Sequence, residues 1–169
     1  MAGALGKVFR RVRPADVLFL SSGTAGDSAR YRIFHLMEEL KNQGISASAT
    51  SQDNPFLSRY PKKFRVFIFQ RVLFTPAVAK MMEEIKKTKK PIIFATDDLV
   101  FDPKYLEYMD YYQKMNSFEK KLYEKGVGGE ILADDYVRWG LVSTTFLKEK
   151  LEEKGKQVFL VRKIGRAHV

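Results

Sequence analysis

"IIFATDDLVF", Ile92 to Phe101, is the stretch on which the fold turns. Its apolar start, introduced by Pro91, has the length and composition of a buried strand. Two adjacent carboxylates, Asp97 and Asp98, then interrupt it. An unpaired carboxylate is costly to bury, so the charges mark the point where the strand leaves the core for a wet edge.

The rest of the chain falls into place around this strand. "FRVFIFQ" (64–70) and "DVLFLSS" (16–22) are apolar runs of the same kind, and "ISASAT" (45–50) is a weaker one. "RWGLVST" (138–144) and "QVFLVR" (157–162) follow. Between them lie helical patterns. In "SARYRIFHLMEELKNQG" (28–44), Ile33, Met37 and Leu40 form one apolar stripe. Asp27 or Ser28 is placed to cap its start, and Gly44 to end it in a left-handed conformation. "TPAVAKMMEEIKKTKK" (75–90) opens with Thr75 and Pro76, an N-cap and a proline at the first helical position. "TTFLKEKLEEKG" (144–155) is a further helix. "PKYLEYMDYYQKMNSFEKKLYEKG" (103–126) reads as mostly helical with a break near Asn116. Its aromatic side chains are expected to pack on their own domain rather than stack on sugar rings. Short strands alternating with amphipathic helices predict an α/β fold: a three-layer Rossmann-like domain with a mostly parallel sheet of about six strands and helices on both faces.

In such sheets ligands bind outside the carboxyl ends of the strands. Those ends carry "SSGTAG" (21–26) after the first strand, Gln70 and Arg71 after the third, Asp97 and Asp98 after the fourth, and Ser143, Thr144 and Thr145 after the fifth. A cleft lined by Gly23, Thr24, Ala25, Gly26, Arg71, Asp97 and Asp98 is therefore expected. Each member also has a plainer reading. Adjacent Asp residues form Asx-turns, Arg71 can be a structural partner for one of them, and glycine is the default for an ordinary turn. The G-x-G-x-x-G, G-x-x-x-x-G-K-[ST] and G-x-S-x-G patterns are absent. A receiver would carry its acidic pair after the first strand, not the fourth.

Composition narrows the classes further. The chain has 169 residues, is 45% hydrophobic and carries a net charge of +10. It has enough apolar content for a real core. The excess charge can address nucleic acid, anionic lipid or phosphorylated ligands, but the basic residues are scattered, many on helix faces, which disfavours nucleic acid. With no cysteine, disulfides and thiolate metal sites are excluded, and two histidines, His35 and His168, are too few for a histidine-rich metal site. No apolar run reaches the ~20 residues of a membrane span. Residues 1–14, "MAGALGKVFRRVRP", form a basic leader without the features of a signal peptide. A cytoplasmic location is the default expectation, at the inner face of a membrane if the leader engages one.

"SARYRIFHLMEELKNQGI", "FIFQRV", "PIIFATDDLVFDP" and "WGLVSTTFLKEKLEEKGKQVFLVR", in this order, resemble the N-terminal half of glycosyltransferases built from two Rossmann-like domains, the GT-B architecture. The likeness is to the bacterial retaining, nucleotide-sugar-dependent enzymes that make capsule and cell-wall polysaccharides. Asp97-Asp98-Leu99 and the pattern from Val142 to Leu147 are its most specific parts. The resemblance implies that residues 15–162 are the acceptor-side domain, with a sugar or lipid-linked acceptor in the cleft named above. The nucleotide-sugar donor would be held by a second domain whose glutamate motif has no counterpart here. No cofactor is implied for this chain and its catalytic residues are unassigned; alone it is expected to be inactive, a truncated enzyme. Residues 163–169, "KIGRAHV", read as a non-native tail, since this peptide is what a common sequencing-library adapter would encode. The rival expectation is a stand-alone Rossmann or receiver-like module binding a partner or nucleic acid.

Overall fold

The computed structural model describes residues 12–23, 29–121 and 123–162. The leader up to residue 11, the Thr24, Ala25 and Gly26 part of the expected cleft, the Asp27 and Ser28 capping positions, and the tail 163–169 lie outside the described residues.

Six strands form one wholly parallel sheet: β1 (Val17–Ser21), β2 (Ala47–Ser51), β3 (Val66–Gln70), β4 (Ile92–Ala95), β5 (Trp139–Val142) and β6 (Gln157–Leu160). The order is β2-β1-β3-β4-β5-β6. Leu18 of β1 lies opposite Ser48 and Phe67, and Phe94 of β4 lies opposite Phe69 and Gly140. The burial of each strand follows its position. Every residue of β1 is buried, as in a strand covered on both faces. The edge strand β6 alternates exposed with half-buried positions.

The first helical element after β1 begins as a π-helical turn, Arg30–Phe34, and continues as helix α1 (His35–Asn42). It covers one face, where Ile33, Met37 and Leu40 pack with Val17, Phe19, Ile68 and Ala95. Gly44 follows it with φ of 75°. The other face carries helix α2 (Pro76–Lys87), whose Val78, Met81, Met82 and Ile85 are buried at helical spacing. Thr75 accepts a hydrogen bond from the Val78 amide at 3.3 Å, so the Thr-Pro start caps as its sequence implies. A 3-10 turn at Leu57–Arg59, with Tyr60 and Phe64, packs on the same face.

Residues 103–126 break near Asn116, as expected, and at Met109 as well, so that residues 103–135 carry only short elements. They form a 3-10 helix (Pro103–Tyr108) and three short helices, α3 (Asp110–Gln113), α4 (Ser117–Lys121) and α5 (Gly129–Ala133). Leu106 packs inward, but Tyr108 and Phe118 are each 77% exposed, so the expected aromatic packing holds only in part. Gly126, with φ of 85°, explains the sharp return: a Cβ there would lie 2.2 Å from the Phe101 carbonyl oxygen. Helix α6 (Thr145–Glu152), capped by Thr144, lies against β5. Gly140 permits that approach, since a Cβ there would meet Leu151 at 2.6 Å. Among the described residues, no helix is long and apolar enough to cross a membrane.

Candidate functional site

In this strand order the chain leaves β1 toward β2 on one side and returns to β3 on the other. The carboxyl ends of β1 and β3 therefore diverge, and a ligand crevice is expected at such a switch point. A cavity of about 200 Å³ opens there, lined by Ser21, Ser22, Gly23, Ala29, Ile33, Gln70 and Arg71. Its floor is held by local polar bonds. The Ser21 hydroxyl donates to the Gly23 carbonyl at 2.8 Å, which fixes the turn after β1. Buried Gln52 donates its backbone amide to the Ser21 carbonyl and accepts from the Leu73 amide through its side-chain Oε1, joining the ends of β1 and β2 to the loop after β3.

Arg71 has φ of 50°, a left-handed conformation that costs a non-glycine residue roughly 1–2 kcal/mol. Its amide still donates to the Ala95 carbonyl at 3.3 Å, and its guanidinium pairs with Asp98 at 3.3 Å. Asp98 uses both carboxylate oxygens. Oδ1 accepts from the Val100 amide in an Asx-turn, and Oδ2 faces Arg71. Thr96 braces this turn by donating to the Asp98 carbonyl at 2.8 Å. Burial pushes the Asp98 carboxyl above its ordinary range, and the Arg71 charge offsets this only in part. Nearby, burial and the Tyr123 hydroxyl raise Tyr111 to about 12.

Asp97 sits one residue away in a different environment. Arg32 donates from Nε to Asp97 Oδ2 at 3.0 Å and from its terminal nitrogen to the Ser143 hydroxyl at 2.8 Å. Gln70 donates to the other Asp97 oxygen at 3.4 Å. One guanidinium thus ties the helix after β1 to the ends of β4 and β5, with Gln70 of β3 completing the set. Burial pulls Arg32 below its ordinary value, and Asp97 pushes back.

Of the expected cleft residues, the structure brings together Gly23 and Arg71 at the cavity, with Asp98 against Arg71 and Asp97 turned to Arg32. Arg32 was not anticipated. The signal lay in helical spacing: Arg32 falls three residues after Ala29 and beside Ile33, on the inward face, where a charge requires a partner.

A half-open carboxylate beside a half-open guanidinium suits a polyhydroxyl ligand. One hydroxyl donates to the carboxylate while another accepts from the guanidinium. Comparison with protein-family models, with curated proteins and with solved structures returns no match.

Proposed function

We propose that residues 15–162 form the acceptor-side domain of a nucleotide-sugar-dependent, retaining glycosyltransferase of polysaccharide or cell-envelope glycan synthesis. The observation that carries this reading is the Arg71–Asp98 pair, half exposed beside the cavity at the β1/β3 switch point. It joins the sequence resemblance, whose most specific residues include Asp97 and Asp98. In this reading Asp98 and Arg71 orient hydroxyls of the sugar acceptor, while Arg32 and Asp97 hold the loop that presents them. The grip on the donor's diphosphate belongs to a second domain.

The test is amide chemical-shift mapping of the chain with a panel of methyl glycosides and short oligosaccharides. Saturable shifts at Gly23, Arg71 and Asp98 with at least one sugar, lost in Asp98→Asn, are expected. Nucleotide sugars should give no saturable response. Sugar responses confined to other residues would overturn the reading, and saturable nucleotide-sugar binding would move the donor site into this cleft.

A second reading, a stand-alone receiver-like module, draws on the order β2-β1-β3-β4-β5, which such folds share. Against it, β1 ends in Ser21, Ser22 and Gly23, with no carboxylate to build an acidic pocket.

A further inference from the structure

The amino ends of parallel strands all lie along one edge, opposite the cleft. The loops entering β3, β4 and β6 read "PKKFR" (61–65), "KKTKKP" (86–91) and "KGK" (154–156), with nine Lys or Arg and no carboxylate between them. They are joined into one surface. Lys90 donates to the Pro61 carbonyl at 2.7 Å, the Tyr136 hydroxyl donates to the Lys90 carbonyl at 2.7 Å, and Lys156 donates to the Asp134 carbonyl at 3.2 Å. With strands about 4.8 Å apart, the row from β3 to β6 spans roughly 15 Å. The loop entering β5, "DDYVR" (134–138), lies within this row, and carboxylates neutralise part of it: Asp134 and Glu83 hold Lys86, Asp135 and Asp134 face Lys156, Glu84 holds Lys87, and Asp16 lies 3.7 Å from Arg65. The ammonium groups of Lys62, Lys63 and Lys89 make no hydrogen bond or ion pair with any described residue, and Lys62 adds only a minor charge effect on Glu84.

We propose that this amino edge is the surface by which the chain docks on an anionic lipid bilayer, with the cleft at the far edge turned toward the aqueous phase. Three observations favour lipid over nucleic acid. Eight of the nine basic residues are lysines, compact point charges suited to a plane of headgroups rather than to the bidentate contacts that arginine makes. In the described loops entering the strands, the exposed large apolar side chain is the aliphatic Ile45, which offers no ring for base stacking. The third is the leader. Residues 12–16 run into β1 at this edge, and the sequence before them, outside the described residues, contains Lys7, Arg10 and Arg11 among Leu5, Val8 and Phe9. A polybasic patch combined with apolar side chains supplies the two signals that stable peripheral attachment requires. The inference is independent of the glycosyltransferase reading. It has a geometric consequence for it: a five-residue strand at about 3.3 Å per residue sets the cleft roughly 17 Å above the docking edge.

Co-sedimentation of the full 169-residue chain with vesicles of phosphatidylglycerol and phosphatidylcholine in equal parts tests this. The wild type should partition onto these vesicles, weakly or not at all onto pure phosphatidylcholine, and less as salt rises. Each basic side chain at an anionic surface contributes about fivefold. Lys62→Gln, Lys63→Gln and Lys89→Gln together should lower the partition coefficient on the order of a hundredfold, with the thermal midpoint unchanged. Should the left-handed backbone at Lys89 complicate that variant, the Lys62→Gln, Lys63→Gln double carries the test with a loss of about twenty-five-fold. Wild-type binding by these variants, with loss only when Lys7, Arg10 and Arg11 are replaced, assigns attachment to the leader alone and overturns the proposal. So does equal binding to uncharged vesicles, no binding at all, or tighter binding to a mixed-sequence DNA duplex that the same substitutions abolish.

Discussion

Two arginine–aspartate pairs meet at one loop, and their surroundings set them apart. Arg32 and Asp97 leave 8% and 12% of their side chains exposed, whereas Arg71 and Asp98 leave 30% and 37%. The enclosed pair makes further bonds to Ser143 and Gln70 and binds four elements together. In the open pair, Arg71 lines a cavity and holds a strained backbone position. Enclosure makes an ion pair a fastener whose removal is expensive. Exposure leaves its energy small and its atoms available to a ligand.

The largest effect should come from breaking the fastener on one side. Arg32→Ala leaves the Asp97 carboxylate enclosed without its cation and strips Ser143 of its donor. A loss of about 3 kcal/mol in urea unfolding is expected. Arg32→Lys keeps the charge but cannot aim two donors in fixed directions at Asp97 and Ser143, so it should recover only part of that stability. Full recovery by lysine would show that charge alone matters and that the forked geometry does not.

The open pair should respond differently. Arg71→Gly removes a roughly 1 kcal/mol ion pair and gives the unfolded chain more freedom, but it relieves the left-handed strain at this position. These contributions nearly cancel, so stability should stay within about 1 kcal/mol of the wild type. The sugar-induced shifts at Gly23 and Asp98 should nonetheless disappear. A stability loss as large as that of Arg32→Ala would place Arg71 among the fasteners and erase the contrast.

How much of this was legible in the sequence depends on the range of the interaction. The strands were legible because β1, β3 and β4 are apolar runs too short for helices, and Thr75-Pro76 and Thr144 announce helix starts through contacts three residues long. The position of Asp97 and Asp98 at the carboxyl edge was legible for the same local reason: charge begins where the apolar run ends. The partner of Asp97 was not, because Arg32 lies 65 residues away and reaches it only after the helix following β1 has docked on the sheet. Residues 103–126 were legible in part: the break near Asn116 falls between α3 and α4, but the extended backbone at Met109 interrupts a pattern rich in good helix formers. The contact that requires glycine at 126 is with the Phe101 backbone, which no periodicity reports.

The smallest predicted effect concerns the proton on Asp98. Its carboxyl faces Arg71 and the Val100 amide, which favour the charged form, and Asp97, which opposes it; Arg32 adds a weaker favourable charge. Burial outweighs these, and the folded value lies above the ordinary 3.8. The sign follows from linkage. A folded state that holds a proton more tightly than the unfolded chain gains stability from it in acid, and loses that share as pH rises from 3.8 through the folded value. Asn at position 98 carries no such proton. Asp98→Asn should therefore become more stable relative to the wild type as the pH of urea unfolding is raised from about 3 to about 7. The magnitude is modest, because the side chain is more than a third exposed and solvent screens it. The opposite trend, with the variant losing ground as pH rises, would mean that Arg71 outweighs burial. The open pair would then be a weaker copy of the enclosed one, rather than a pair held ready for a ligand.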